Sequence, residues 1–389
     1  MRNEKFELPL LLIRVAILNT PEAYEGEIDW EFLMDFGKKQ DILPILLRGI
    51  RLLALPMPPA IQAQLQKAED LALGVEAAQF IALGQLFTLC ERRGISCAPL
   101  KGSVLRELYP LPHLRTMGDI DLLIAPFDPR ENRRMMAELG FAPDDKMIRD
   151  PSEYDVVTDN YSLPPFLVVE LHKTLSAANT PVAIREAFCD ALKTAEPLEG
   201  YSLIKRFSAQ GNFLHLMSHL HKHYTEDSVG VRMLLDIWLF HSAYGSQLDW
   251  NVLNERLAHM GILDFCTEIL RLCHALFSYG EEHILTPEQE RIFLAGKLHE
   301  DMPIVLRSLK NAKTGCLSPL LHTVLISRKH LAAFYPRLNC CPVLYPYYYC
   351  KRALFVLRSR RHKLRQIIFV SFTKQGREQL RELRERKGL

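Results

Sequence analysis

Apolar residues recur at helical spacing towards both ends of the chain, and a segment with strand-like patterns lies between them. Residues 29–54 predict two helices separated at Pro44, and residues 60–93 predict one long helix that ends at Gly94. The apolar stripe expected on the long helix consists of Leu65, Leu71, Leu73, Ala77, Phe80, Leu83, Leu86 and Leu89. The pattern therefore predicts a helical region before residue 95.

The central segment alternates short apolar strands with short helices. Strands are predicted at residues 95–100, 119–125, 154–161 and 166–172, and helices at residues 103–109 and 128–139. Asp128 and Pro129 suit the N-cap and the first position of the second of these helices. Residues 181–389 again predict helices, with breaks near Gly211, Gly230, Pro287, Pro303, Pro319, Pro336 and Pro342. We expect four regions, at residues 1–94, 95–180, 181–350 and 351–389.

Two carboxylates stand at the start of the strand predicted at residues 119–125. Successive side chains of a strand point to opposite faces, so Asp119 and Asp121 share one face while Ile120 and Leu122 share the other. Paired carboxylates suit Mg²⁺, which prefers a few carboxylates combined with substrate phosphates. The same spacing is also common on solvated edge strands, and by itself it leaves both interpretations open.

A Lys-Gly-Ser turn precedes these acids. Lys101, Gly102 and Ser103 follow the strand at residues 95–100 and open a helix, where backbone N–H groups can bind a phosphate. Taken alone, these residues make an ordinary turn. The order of strand, Gly-Ser, helix and Asp-x-Asp strand is more restrictive, and it indicates metal-assisted transfer of a nucleotidyl group.

This order of motifs resembles the nucleotidyltransferase superfamily of the polymerase-β type, and it resembles the bacterial uncharacterised nucleotidyltransferase family more closely. The residues that carry the resemblance are Lys101-Gly102, Arg115, Asp119–Ile124 and Glu170–His172, flanked by residues 26–54 and the C-terminal segment YPRL…CPVLYPYYYCKR. The resemblance implies an α+β fold, in which N-terminal helices and a large C-terminal helical region flank a small mixed-sheet nucleotidyltransferase core. It also implies an NTP as substrate and Mg²⁺, or Mn²⁺, as cofactor.

The resemblance assigns roles to particular residues. Metal binding and catalysis would fall to Asp119, Asp121 and Glu170, and nucleotide binding to Lys101, Gly102, Ser103, Arg115, Gly118 and His172. Asp155 and Asp159 are alternatives to Glu170 as the third acid. Three roles remain possible for His172: it contacts a phosphate, it orients Glu170, or it packs as a structural residue. Lys173 stands where the family usually has an aromatic residue. Two interpretations of Arg115 remain open: it contacts a phosphate, or it is an exposed charge on a loop.

The C-terminal half contains a further group of charged and titratable residues. His215, His219 and His223 are four residues apart and share one helix face, which the resemblance suggests closes the nucleotide or acceptor pocket. Such spacing can bind zinc, but the glutamate of the His-Glu-x-x-His motif is missing, which disfavours zinc. Arg232 and Asp236, at positions i and i+4, are expected to form an ion pair with each other.

Composition narrows the setting in which the protein works. The chain has 389 residues, of which 48% are hydrophobic and 24% charged, and its nine cysteines include no Cys-x-x-Cys pair. No uninterrupted apolar run approaches the roughly 20 residues of a membrane span. These features favour a cytoplasmic protein with reduced thiols and no membrane span.

Charge is unevenly distributed along the chain. Residues 351–389 hold thirteen Lys and Arg against three Glu, a balance of +10, so the rest of the chain carries −8 in a total of +2. Two interpretations of this basic tail remain open. It is a binding site for nucleic acid or phosphates, or it is a solvated helix with Leu380 and Leu383 packed inward.

The motifs together predict an Mg²⁺-dependent enzyme that moves an NMP from an NTP to a hydroxyl, phosphate or amine group. The acceptor is left open among a small molecule, a peptide or protein, and RNA. Two alternatives remain: a non-catalytic nucleotide-binding or scaffold protein on the same fold, and a toxin-like enzyme that modifies tRNA or protein.

Overall fold

The computed structural model describes residues 4–19, 23–143, 158–176, 180–226, 229–278, 328, 331 and 337–359. Four helices come first: α1 (Glu7–Leu18), α2 (Trp30–Gln40), α3 (Leu43–Leu52) and α4 (Pro59–Arg93). The central segment contains β1 (Ser96–Pro99), α5 (Gly102–Leu105), β2 (Ile120–Ala125), α6 (Pro129–Glu138), β3 (Ala142–Pro143), β4 (Thr158–Leu163) and β5 (Leu167–His172).

The remaining described elements are mainly helical. They are α7 (Val182–Ala187), α8 (Ala191–Thr194), β6 (Glu196–Pro197), β7 (Lys205–Arg206), α9 (Ala209–Glu226), α10 (Val231–Tyr244), α11 (Trp250–His259), α12 (Leu263–Phe277), α13 (Arg337–Cys340) and α14 (Tyr345–Ser359). Short 3₁₀ turns occur at Glu4–Phe6, Arg106–Leu108, Pro112–Leu114, Gly245–Gln247 and Pro342–Leu344.

The five central strands form one mixed sheet in the order β1-β2-β5-β4-β3. Strand β2 pairs with β5 in parallel, and the other three pairings are antiparallel. The predicted α+β class, a small mixed sheet flanked by helices, is confirmed. Asp128 caps α6 as predicted, because its carboxylate accepts hydrogen bonds from the N–H groups of Arg130 and Glu131.

The two faces of this sheet have different surroundings. One face presents Ile120, Leu122 and Leu171 to an apolar cluster that includes the second half of α4 and the methionines of α6. The opposite face carries Asp121 and Glu170, which are paired across the parallel strands. All polar chemistry predicted for β2 and β5 therefore lies on the face away from α4 and α6.

Helices that precede and helices that follow the central sheet share one hydrophobic core. Buried residues of α1, α2 and α3 form a continuous cluster with those of α9 to α12, for example Leu12 and Ile45 with Phe213 and Phe240. Helix α1 was not among the predicted elements. The four-region division of the chain stays a prediction, as do the breaks at Pro287, Pro303 and Pro319, which lie outside the described residues.

Two details of the predicted helices were wrong. The break between α2 and α3 lies at Asp41, which adopts a left-handed conformation with φ of 56°, and Pro44 stands in the first turn of α3. On α4, the side chains of Leu71, Leu73 and Phe80 are 59%, 44% and 70% exposed instead of buried. This helix has apolar residues on more than one face, and its neighbours cover one of them.

Helix α4 is also long enough and apolar enough to cross a membrane, since it has 35 residues and contains an apolar stretch of 18 residues. Of this stretch, 33% is buried inside the protein. One such helix is weak evidence, because core helices of soluble proteins pass the same test. The expected absence of a membrane span therefore stays a prediction.

The contact between α1 and α3 depends on a glycine, and this gives a first test of the fold. A Cβ added at Gly49 would overlap the carbonyl oxygen of Leu12 and lie 2.9 Å from its Cα, whereas a Cβ at Gly84 on the exposed face of α4 meets nothing within 4 Å. We expect Gly49→Ala to destabilise the protein by about 1–3 kcal/mol through overpacking. Gly84→Ala should stabilise it by roughly 0.5–1 kcal/mol through helix propensity.

Thermal and urea unfolding of both variants measure this difference. Since each variant adds one methyl group to a helical glycine, equal shifts in the two would mean that α1 does not pack on α3 as described.

Candidate active site

The register of β2 on β5 places two acids side by side. Asp121 pairs with Glu170 across the parallel strands, so both side chains project from the same face of the sheet. On the other side of β5, Asn160 and Thr158 of β4 pair with Glu170 and His172 and share this face. Their side chains lie close to the site, with 3.3 Å from Asn160 Nδ2 to Glu170 Oε1 and 3.3 Å from Thr158 Oγ1 to His172 Nδ1.

Asp121 is the buried centre of the site, with 4% of its surface exposed. Its Oδ1 atom lies 2.7 Å from Lys101 Nζ and 2.7 Å from His172 Nε2. Burial alone would raise the pKa of Asp121, but the hydrogen bond to His172 and the charge of Lys101 outweigh it and hold this pKa well below its usual range. Asp121 is therefore an anion that already has two compensating partners.

Asp119 and Glu170 experience the opposite shift. The pKa of Asp119 is raised by burial and by the negative charge of Asp121, and the pKa of Glu170 is raised by burial and then by the charges of Asp121 and Asp119. The three carboxylates thus form one electrostatic group, as the spacing of Asp119 and Asp121 and the register of β5 require. A bound cation would relieve their mutual repulsion.

A compact set of metal-ligand atoms occurs among the described residues. One ligand atom each of Asp121, Glu170 and His172 lies within 4.8 Å of the others. His172 also lies 3.6 Å from Glu170 Oε2. Asp119 is not a member of this set, so the predicted grouping of Asp119 with Asp121 and Glu170 as metal ligands stays a prediction.

The Lys-Gly-Ser turn has an unusual backbone. Lys101 has φ of 46°, a left-handed value that a non-glycine residue adopts only under constraint. A Cβ at Gly102 would lie 2.5 Å from Arg115 Nη1 and 2.7 Å from Met117 Sδ, so any larger residue would have to displace these two side chains. The buried Oγ of Ser103 has no hydrogen-bond partner within the described part of the chain. Because α5 has only four residues, the turn contributes through close packing more than through a long helix dipole.

Arg115 is buried in an ion pair that the sequence did not reveal. Its Nε and Nη2 atoms donate to the two carboxylate oxygens of Asp236 at 2.8 and 2.7 Å, and Tyr109 Oη donates to the same carboxylate at 2.8 Å. The predicted ion pair between Arg232 and Asp236 is therefore wrong. Arg232 instead donates to the carbonyl oxygen of Thr116 at 2.7 Å and lies 3.7 Å from Asp41.

These contacts fasten the loop before β2 to the helical region. Asp236 belongs to α10, so the bidentate pair joins this helix to the loop that carries Met117 and Gly118. Burial opposes the charge of Arg115, but Asp236 more than compensates and raises the pKa of the guanidinium further. A fixed arginine of this kind holds the loop in place, and its predicted contact with a phosphate stays a prediction.

A cavity of about 570 Å³ opens above these groups. The predicted residues that line it are Lys101, Gly102, Arg115, Gly118, Asp119, Asp121 and Glu170. Ser103 is not among its lining residues, and His172 lines an adjoining cavity instead. Additional positive charge comes from Lys39, Lys222 and Arg232, which sequence reasoning did not assign to the site. Of these three, Lys222 had a signal, since it follows His219 by three residues and directly precedes His223 on a helix already expected to close the pocket.

Other predicted candidates lie in different surroundings. Asp159 pairs with Leu171 and so belongs to the opposite face of the sheet, where its carboxylate accepts a hydrogen bond from Asn132 Nδ2 at 2.8 Å. Asp155 lies outside the described residues. On α9, His219 and His223 line the cavity, with ring centroids 4.5 Å apart. His215 packs edge-on against Phe188 and Phe207.

A mixed sheet with paired acids on one face, preceded by a tight Lys-Gly-Ser turn, is the core of a nucleotidyltransferase. A sequence comparison agrees, because the model of the family described as "Uncharacterised nucleotidyltransferase" matches residues 26–278. The match covers more than half of the chain, and the protein belongs to this family of transferases. The resemblance inferred from the motifs of the central segment is confirmed.

Two further comparisons add little. The search of the curated proteins found no match. Among solved structures, the chain is similar to the solution structure of the antibiotic-resistance factor ANT(2'')-Ia, with 10% identity, a TM-score of 0.32 and coverage of 51% of this chain and 97% of the other.

Removal of one partner from the buried pair of Arg115 and Asp236 should lower stability strongly. Asp236→Ala leaves a buried guanidinium without its counter-charge, so we expect a loss of about 3–5 kcal/mol in the free energy of unfolding. The control is Glu268→Ala, which removes the partner of Arg271 in a pair whose side chains are 63% and 69% exposed, and it should change stability little. Urea unfolding compares the two, and equal midpoints would show that the loop is not held by this pair.

Proposed function

We propose that the protein uses a divalent cation, with Mg²⁺ as the natural one, to transfer an NMP from an NTP to an acceptor. The observation that carries this proposal is the register of Asp121 on Glu170, which gathers anionic oxygens at the floor of a cavity rimmed by lysines and arginines. Such an arrangement suits a triphosphate carried with its metal, because the acids alone would repel the phosphates.

The donor chemistry favours a hard cation. Carboxylate oxygens dominate the group, and hard cations such as Mg²⁺ prefer oxygen ligands supplied by a few carboxylates and by phosphates. We infer that Asp119, Asp121 and Glu170 hold the metal. His172 would keep its hydrogen bond to Asp121 and so hold the carboxylate of Asp121 in the orientation that metal binding needs. When bound, the metal would neutralise the phosphate charge and lower the pKa of the acceptor group.

The chain's own side chains would account for positioning. The Nζ atom of Lys101 lies 2.7 Å from Asp121 Oδ1 and lines the cavity, where it would bind a phosphate oxygen of the nucleotide. Arg232 and Lys222 add charge on the far wall of the cavity. In the proposed reaction the acceptor oxygen bonds to the α-phosphorus, the bond from this phosphorus to the β-bridging oxygen breaks, pyrophosphate leaves, and the acceptor proton passes to solvent.

Loss of the central carboxylate gives the first test. Asp121→Asn removes the anion shared by Lys101 and His172, so we expect Mg²⁺-dependent NTP binding to fall by at least about tenfold, in line with the loss of a charged metal ligand. Calorimetry with each of the four Mg²⁺–NTPs measures the affinity, and circular dichroism checks the fold. An unchanged affinity in the folded variant would contradict the assignment of the site.

The third acid gives a separate test, with a matched control on the neighbouring strand. Glu170→Gln should leave Mg²⁺–NTP binding largely intact but reduce transfer or pyrophosphate exchange by about a hundredfold or more, since this acid would serve the attacking group. Asp159→Asn changes an acid on the opposite face and should leave both properties near wild type. If Asp159→Asn lost activity and Glu170→Gln did not, the assignment of Glu170 as the third acid would be wrong.

A further inference from the structure

A second cavity of about 350 Å³ adjoins the first and shares the side chains of Lys101, Glu170, His219 and Lys222 with it. Of the three carboxylates proposed as metal ligands, only Glu170 lines this second cavity. Since Glu170 is the acid proposed to serve the attacking group, the second cavity lies on the acceptor side of the reaction centre. The first cavity, which holds Asp119, Asp121 and Gly102, lies on the nucleotide side.

Hydroxyl groups are the most numerous polar groups among the described residues that line the second cavity. They belong to Thr158, Thr174, Ser176, Thr180, Ser218 and Thr225. Thr225 donates its proton to the carbonyl oxygen of His221 at 3.0 Å, which leaves its lone pairs available to a donor. Hydroxyls both donate and accept hydrogen bonds, so they match a ligand that itself carries many hydroxyls.

Three of the four histidines that line this cavity have lowered pKa values. Burial lowers the pKa of His215 to about 3, lowers that of His219 well below its usual value, and lowers that of His221. A neutral imidazole offers one donor and one acceptor, the same pattern as a hydroxyl. Glu170 is the only carboxylate among the described residues that line the cavity, and Lys101 and Lys222 add positive charge. A polycationic acceptor would therefore find too few anions here.

Apolar side chains complete the walls. Leu100, Leu175, Pro181 and Ile184 line the cavity together with the polar groups. A sugar ring presents hydroxyls around its edge and C–H groups on its face, so it can satisfy both kinds of wall at once. A volume of about 350 Å³ is at the small end for ligand pockets and suits one or two sugar rings.

We propose that the second cavity binds the acceptor and that this acceptor is a polyhydroxylated, non-cationic small molecule of the sugar class, free or phosphorylated. The assignment rests on the proposed nucleotidyltransferase function. A sugar hydroxyl, or the phosphate oxygen of a sugar phosphate, would bond to the α-phosphorus next to Glu170, with pyrophosphate as the leaving group and any acceptor proton released to solvent.

Ser218 is the residue that tests this assignment. It lines the second cavity but not the first. Ser218→Phe should fill the second cavity, and Ser218→Ala should remove one hydroxyl with little change of shape. Thr267→Phe is the matched control for the larger change, because Thr267 is an exposed residue on α12 that lines neither cavity.

The probes are glucose, glucose 1-phosphate and the polycation kanamycin, each added to the full chain with Mg²⁺ and a non-hydrolysable NTP analogue. Ligand-observed NMR measures binding of the probes, and calorimetry measures binding of the nucleotide. We expect at least one of the two sugar probes to bind. This binding should be lost in Ser218→Phe, weakened about threefold to tenfold in Ser218→Ala by the loss of one hydrogen bond, and unchanged in Thr267→Phe. A phosphate-dependent gain would show that Lys222 or Lys101 holds an anionic group of the acceptor.

The outcomes separate the inference from the function on which it rests. If Mg²⁺–NTP binds but neither sugar probe does, or kanamycin binds more tightly, the acceptor class is wrong and the transferase function stands. Sugar binding that persists in Ser218→Phe would place the acceptor elsewhere. If Mg²⁺–NTP fails to bind the wild-type chain, the proposed function itself is overturned, whatever the sugar probes do.

Discussion

The organisation of the site follows from the burial of three carboxylates on one face of a small sheet. Anions in a poorly solvated region repel each other, and the raised pKa values of Asp119 and Glu170 express this repulsion. Asp121 escapes it because Lys101 and His172 both contact a single oxygen of its carboxylate. The backbone conformation of Lys101 and the position of His172 at the end of β5 are therefore parts of the same electrostatic arrangement.

A second buried ion pair connects this arrangement to the helices. The loop before β2 carries Met117 and Gly118 into the cavity, and Arg115 anchors it to α10 through both oxygens of Asp236. Arg232, one turn earlier on α10, reaches the carbonyl oxygen of Thr116 in the same loop. The helical region thus determines where the loop lies relative to the acids, although no residue of α10 belongs to the sheet. A pair this deeply buried fixes geometry even where its net contribution to stability is modest.

The sheet and α9 together divide the space around the acids into two cavities with different chemistry. The first cavity combines Asp119 and Asp121 with several lysines and arginines, whereas the second is lined mainly by hydroxyl, imidazole and apolar groups. Glu170 belongs to both. In the proposed reaction this position is the natural one for an acid that acts on the attacking group, because the acceptor must approach the α-phosphorus opposite the leaving pyrophosphate.

The sequence by itself determined those features of the structure that depend only on residues close together in the chain. Strand period placed Asp119 and Asp121 on one face, Asp128 and Gly94 marked helix ends, and the order of motifs identified the family that the comparison confirmed. Apolar periodicity was less reliable on α4, where Phe80 is exposed, because a helix pattern does not say which of two apolar faces its neighbours will cover.

Only the tertiary structure decided which distant groups meet. Arg115 pairs with an acid 121 residues away, whereas sequence spacing had paired that acid with Arg232, four positions from it. Local rules favour the nearer partner, but a side chain can reach only those groups that the packing of the helices brings within about 3 Å. The pairing of β2 with β5 also depends on tertiary structure, because it forms through hydrogen bonds between strands far apart in the chain. This register puts Glu170, and not Asp159, on the face of the sheet that carries Asp121.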